Sequence, residues 1–246
     1  MSGAAPGSAD VRPVGSAELG QERHGDAVAL PVAGFTRLSS CDWPGRLVAT
    51  VFVQGCPWRC GYCHNPDLID PRTPATSRWQ AVRAHLQQRS GLLDGVVFSG
   101  GEPTRAPQLV AAMSEVRERG YLVGLHTSGA YPRRLRDVLG LVNWVGLDIK
   151  GLPQQYPAIT GRQNSAQRAF ASLDLVLDSG VDYEARITVD PRHHSAESVT
   201  ELLAVLQQRG ASNLVLQPVR SGAPASSAPA DALLDQVVVL PGVSRR

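Results

Sequence analysis

The chain has 246 residues, with 24 Lys and Arg against 22 Asp and Glu and a formal net charge of +2. That length suits one sizeable α/β unit, and the near balance, without a compact basic run, gives no sign of nucleic acid or an anionic membrane as a partner. The longest apolar stretch, residues 47–53 apart from Thr50, is far too short to span a bilayer, and no basic segment followed by an apolar run opens the chain, so a cytoplasmic location is expected.

Residues 1–33 are rich in Gly, Ala, Ser, Pro and charge without a sustained period, and read as a disordered or weakly ordered tail. From 34 to 220, short β-branched and apolar runs alternate with amphipathic stretches, the pattern of βα units around a parallel sheet. Strands are expected at 47–54 (LVATVFVQ), 95–99 (GVVFS), 122–126 (LVGLH), 144–149 (WVGLDI), 183–189 (YEARITV) and 213–217 (NLVLQ). Their apolar continuity fits strands covered on both faces. Helices are expected at 77–89, 107–119, 132–139, 165–178 and 195–209, several of them followed by a glycine stop. Residues 221–230 (SGAPASSAPA) read as a low-complexity linker and 232–240 as a short apolar segment of unassigned type, so 221–246 is set apart from the main unit.

In parallel α/β folds, functional groups gather at the carboxyl ends of the strands. The unusual residues fall there. A cysteine-rich loop follows the first strand, Gly100-Gly101-Glu102-Pro103 the second and Thr127-Ser128-Gly129 the third, while Asp148 and Lys150 stand at the end of the fourth.

The cysteine loop, GCPWRCGYCHNP at 55–66, holds Cys56, Cys60 and Cys63, three of the four cysteines. Three thiols crowded together in a chain of this size point to metal or redox chemistry rather than a disulfide scaffold. A structural zinc site wants four ligands, usually in two pairs. Cys41 precedes the first strand, which is expected to carry the triplet to the opposite end of the sheet, and His64 adjoins Cys63 too closely for both to reach one tetrahedral ion without strain. Both read as core or supporting residues. A four-iron, four-sulfur cluster on three thiolates leaves one iron open to a small molecule.

With its Cys-x-x-x-Cys-x-x-Cys spacing and Tyr62 before the last cysteine, the loop resembles that of the radical S-adenosylmethionine enzymes. His64-Asn65-Pro66 and Asp42-Trp43-Pro44-Gly45 are similar to the glycyl-radical-enzyme activases, in particular the anaerobic ribonucleoside-triphosphate reductase activating proteins. The resemblance covers residues 34–220. It implies an α/β fold, an open-sided partial (β/α)6 barrel of TIM-barrel-like type. It also implies a [4Fe-4S] cluster on Cys56, Cys60 and Cys63, with S-adenosyl-L-methionine chelating the open iron. Reductive cleavage would yield methionine and a 5'-deoxyadenosyl radical that takes a hydrogen atom from a glycine of a partner. The implied partners are a glycyl radical enzyme, namely anaerobic ribonucleotide reductase, and an electron donor such as flavodoxin or ferredoxin.

By the same resemblance, Gly100, Gly101, Glu102 and Pro103 would receive the methionyl amino group, Asp148 the ribose hydroxyls and Lys150 the methionyl carboxylate. Ser128, Arg186 and Gln217 would make further cofactor contacts, and Tyr62 would lie near the adenine. Elementary chemistry is consistent with these roles: glycines permit close backbone approach and a carboxylate suits an ammonium. Lys150 is the sole lysine among the 24 basic residues, and alternate strand residues such as Asp148 and Lys150 face the same way. Arg186, inside an apolar strand, needs an anionic partner, either a cofactor carboxylate or a neighbouring side chain. His126 stands where the family usually has an acid and reads as a core filler. Two other readings stay open: a radical S-adenosylmethionine enzyme acting on a small molecule or peptide, and a non-enzymatic zinc protein stapled by the cysteine loop.

Overall fold

The structure, a computed structural model, describes residues 29–220, 228–238 and 241–246; residues 1–28 of the tail expected at 1–33 and residues 221–227 of the linker expected at 221–230 lie outside the described residues, while 32 and 33 belong to a strand and 228–230 to a helix. Its frame is one eight-stranded sheet in sequential order. The strands are β1 (Val32–Ser39), β2 (Val48–Val53), β3 (Gly95–Gly100), β4 (Leu122–Thr127), β5 (Trp144–Asp148), β6 (Asp182–Val189), β7 (Leu214–Pro218) and β8 (Val243–Arg245). β1 runs antiparallel to β2, and every later neighbour is parallel. No pairing joins β8 to β1 among the described residues, so the sheet stays open.

Around it lie α1 (Trp79–Gln88), α2 (Leu109–Glu118), α3 (Pro132–Leu139), α4 (Tyr156–Thr160), α5 (Ser165–Ser179), α6 (Ala196–Gln208) and α7 (Ala228–Leu234). The six expected strands are β2 to β7, and the five expected helices are α1, α2, α3, α5 and α6. The sheet is nevertheless two strands wider than the six-unit reading. β1 is half exposed and carries Gly34, Thr36 and Arg37 in place of an apolar run, and β8 has 3 residues with two exposed, so neither shows the hydrophobic signature of a covered strand.

Packing follows the patterns that made the inner strands legible. In β2, Val48, Ala49, Val51 and Val53 are fully buried. In α6, Val199, Leu202, Leu203 and Leu206 recur at three and four spacing and form its buried face, while Ser195 and Ser198 bond reciprocally as a capping box. No helix among the described residues is long and apolar enough to cross a membrane.

A separate small core lies within the curve of the strands. Trp43 stacks on Trp144 with ring centres 5.6 Å apart, over Val48 and Val97, a contact of about 0.5–1.5 kcal/mol beyond its area. Gly124 of β4 makes room for it, since a Cβ there would lie 2.8 Å from the Trp43 ring. Thr50 Oγ1 donates to Asp42 Oδ2 at 2.6 Å, and His126 Nε2 donates to the Asp42 carbonyl at 2.7 Å. The segment after β1 therefore folds inward instead of staying beyond the strand ends. This corrects the expected separation of Cys41 from the triplet: both border one cavity.

Candidate active site

The cysteine loop leaves β2 through Gly55, whose φ of +98° a side chain would resist. Its amides are held from two sides. Gly55 and Cys56 donate to the carbonyls of Leu68 and Ile69 at 2.8 and 3.0 Å, while Arg59 and Gly61 donate to Thr160 and Ile159 of α4 at 2.9 and 3.2 Å. Trp58, buried, anchors the loop edge-on against Tyr156 at 6.0 Å. The short α4, unread in the sequence because Pro157 and its length hide the period, is thus part of the loop's support.

A cavity of about 650 Å³ opens beneath the loop, within the range of small-molecule sites. Cys56, Cys60, Tyr62 and Cys63 form one wall; Gly100, Gly101 and Ser128 form a second. Asp148, Lys150, Arg186 and Gln217 line a third. Six strand ends therefore contribute to one space, as the sequence pattern required. Glu102 and Pro103 do not line it.

Glu102 is fully buried behind the wall. Its Oε1 accepts from the Thr104 amide (3.1 Å), the Thr104 hydroxyl (2.6 Å) and the Thr127 hydroxyl (2.7 Å), and its Oε2 accepts from the amide and hydroxyl of Ser128 at 2.8 and 2.5 Å. Those bonds correct the expectation of a direct carboxylate to ammonium contact. Glu102 locks the loops after β3 and β4 together, and Pro103 only begins the turn behind it. The glycines ahead of it serve close backbone approach, though toward protein: a Cβ on Gly100 would lie 2.4 Å from the Val53 nitrogen, and one on Gly101 2.5 Å from the Gly55 carbonyl oxygen.

The charged wall is a three-member set. Asp148 Oδ2 lies 3.1 Å from Lys150 Nζ, and Asp148 Oδ1 accepts from Arg186 Nε at 3.0 Å. Burial pushes the Asp148 carboxyl up, but Lys150 and then Arg186 outweigh it and hold the group well below the usual carboxylate range. Burial likewise works against the Lys150 ammonium, and Asp148 more than offsets it, so its pKa lies well above the ordinary value. Arg186 thereby finds its anion in a neighbouring side chain. It fits because residue 146 is glycine, where a Cβ would lie 2.8 Å from the Arg186 guanidinium carbon. Nothing in the sequence singled out Gly146.

Tyr62 is buried with Lys150 Nζ 5.7 Å from its ring centre, and its hydroxyl has no hydrogen-bond partner among the described residues. Gln217 Nε2 donates to Thr188 Oγ1 at 3.0 Å, adding Thr188 to the wall. His126 also lines the cavity, with Nδ1 3.3 Å from Ser99 Oγ; burial first, then Arg186, push it down to about 3, so the ring is neutral. Beyond filling the core, it ties the inward segment to β4. His194, unmarked in the sequence, places Nε2 3.0 Å from the Lys150 carbonyl.

The donor set fits an iron–sulfur cluster. Burial pushes the Cys56 thiol up to about 12 and raises Cys60 as well, so a strongly cationic centre would be needed to turn these two thiols into thiolates. The unpartnered Tyr62 hydroxyl and the adjoining cation and carboxylate suit a polar, zwitterionic ligand beside the cluster. Cys56, Cys60 and Cys63 would hold the cluster.

The profile of the Radical SAM superfamily matches residues 50–206. The chain belongs to the radical SAM superfamily. It is an enzyme of that type, and the cofactors of radical SAM enzymes are a [4Fe-4S] cluster and S-adenosylmethionine. The chain is similar to a Methanocaldococcus jannaschii protein assigned to the glycyl-radical enzyme activating enzymes, at 26% identity over 179 residues, 70% of this chain and 73% of that one. It is 30% identical over 174 residues to the pyruvate formate-lyase-activating enzyme of Clostridium pasteurianum, covering 68% and 71%. It is also 26% identical over 194 residues to the 7-carboxy-7-deazaguanine synthase of Thermococcus kodakarensis, covering 71% and 75%. Among solved structures, Streptococcus suis SuiB bound to S-adenosylmethionine superposes with a TM-score of 0.58 at 14% identity, over 78% of this chain and 48% of SuiB. The radical SAM fold is shared, and this chain spans about half the length of that structure.

Proposed function

We propose that this radical SAM enzyme is a glycyl-radical-enzyme activase, with anaerobic ribonucleoside-triphosphate reductase as its protein substrate, acting in the cytoplasm. The observation that carries the reading is the convergence of Cys56, Cys60 and Cys63 with Asp148, Lys150 and Tyr62 on one cavity. Relatives named as activases at 26% and 30% identity support the reaction class, and His64-Asn65-Pro66 with Asp42-Trp43-Pro44-Gly45 supports the reductase as partner. The open sheet suits a substrate that arrives as a loop of another protein.

When bound, the cluster and S-adenosylmethionine supply a hydrogen-abstracting radical. The chain's own residues shape where that happens. The three thiols would hold the cluster at the loop, and Glu102 sets Ser128 and Thr127 in place beside the same space. Asp148, braced by Lys150 and Arg186, stays ionised and presents its remaining acceptor capacity to hydroxyls, while Lys150 keeps two ammonium protons for a carboxylate. Trp58, buried against Tyr156, lines the cavity with an apolar face. Incubating the reduced protein with the reductase and S-adenosylmethionine should give a glycine-centred doublet by electron paramagnetic resonance. Cleavage of S-adenosylmethionine without any protein radical would favour the second reading, a small-molecule or peptide substrate, which the likeness to the deazaguanine synthase supports.

A further inference from the structure

We propose that an arginine-rich face on the outside of the cysteine loop is the docking surface for an acidic protein that delivers single electrons. This rests on the radical SAM reading above and adds the partner's chemistry and place. The face begins on the loop itself, where Arg59 is exposed and Arg162 Nε donates to the Pro57 carbonyl at 3.1 Å. The Arg105 guanidinium packs against Gly55, 3.1 Å from where a Cβ would stand and next in sequence to Cys56. Arg134 donates to the Arg105 carbonyl and lies 5.1 Å over the Tyr131 ring. From there a groove of about 600 Å³ runs between the first turns of α3 and α5, lined by Arg133, Arg134, Arg168, Tyr131 and Gln167 and by no carboxylate. Arg133 and Arg168 are exposed and make no ion pair among the described residues.

In a chain whose formal charge is only +2, this clustering is local. The loop after β4 borders both spaces: Ser128 lines the cavity and Ala130, two residues on, lines the groove. A partner seated on these arginines would also cover the cysteine loop, since Arg105 packs on Gly55 beside Cys56 and Arg162 holds Pro57. Exposed guanidinia without internal partners match carboxylates on an incoming surface, and such complementarity acts mainly on encounter rate and salt dependence. The transfer moves one electron and no atoms: the donor is oxidised by one electron and the site gains it.

The test uses the full chain and its Arg133→Glu/Arg168→Glu variant, with flavodoxin, an acidic one-electron donor, as the probe. Affinity is measured by calorimetry at several salt concentrations, and S-adenosylmethionine cleavage is driven either by reduced flavodoxin or by reduced methyl viologen, a small cation. The expected result is flavodoxin affinity and flavodoxin-driven cleavage lowered about tenfold or more at low salt, a flatter salt dependence, and methyl-viologen-driven cleavage unchanged. Unchanged flavodoxin affinity, or an equal loss with methyl viologen, overturns the proposal. A parent protein that cleaves nothing with methyl viologen contradicts the functional reading instead, and the binding measurement still decides the docking face.

Discussion

Ser128 donates both its amide and its hydroxyl to one oxygen of Glu102, at 2.8 and 2.5 Å. This pair joins the loop after β3 to the loop after β4 with a fully buried carboxylate whose other oxygen takes three more donors. Glu102→Gln keeps the volume but turns one acceptor into a donor facing donors. It should lower stability by about 2–3 kcal/mol, read as a shift of the urea midpoint, and weaken S-adenosylmethionine binding through displaced Thr127 and Ser128. A variant with unchanged midpoint and affinity would show that the two loops hold their positions without it.

Gly146→Ala places a methyl 2.8 Å from the Arg186 guanidinium and 2.9 Å from Trp144. The expected cost is about 1–3 kcal/mol, with Arg186 pushed away from Asp148. Chemical denaturation reads the first effect, and weaker S-adenosylmethionine affinity in equilibrium binding reads the second.

His126 is neutral in the folded chain, pushed down from 6.5 to about 3. Because the folded value is depressed, the unfolded chain binds more protons in that window and stability rises with pH across it. The neutral ring's contribution is complete above 6.5 and is lost as the pH falls toward 3. His126→Gln retains a donor for the Asp42 carbonyl without titrating. Between pH 7 and 5 it should remove roughly 2 kcal/mol of the parent protein's acid destabilisation, measured as unfolding free energy against pH. An identical slope in the two proteins would place the acid sensitivity elsewhere.

Iron content separates the four cysteines. Anaerobically purified protein should carry about four irons per chain, and Cys56→Ala, Cys60→Ala and Cys63→Ala should each lose most of it. Cys41→Ala should retain iron although Cys41 borders the same cavity. Iron retained by a triplet variant would overturn the assignment of the ligands.

The inner strands were legible because β2 to β7 are covered on both faces, so continuous Val and Leu runs mark them. The edge strands lack that cover, and their pairing is decided by neighbours far away in sequence, as with Val243 opposite Leu214. In the site, the cysteine triplet, Asp148, Lys150 and Arg186 stood out as chemistry out of place in its local pattern. Glu102 stood out too, but its direction did not: a carboxylate in a glycine-rich turn reads as a ligand contact until Thr104, Thr127 and Ser128 are seen to surround it. Gly124 and Gly146 were silent, because the bulk they accommodate, Trp43 and Arg186, comes from other elements. Strand length alone sets Cys41 at the far end of β2 from the triplet, whereas the segment around Asp42 turns back between β2 and β4.

The central claim is that three thiols hold a cluster whose remaining iron accepts S-adenosylmethionine. Electron paramagnetic resonance of the reduced, oxygen-free protein tests it most directly. A [4Fe-4S]+ signal whose g values shift on adding S-adenosylmethionine is the predicted result, and no cluster signal, or one indifferent to that addition, would contradict it.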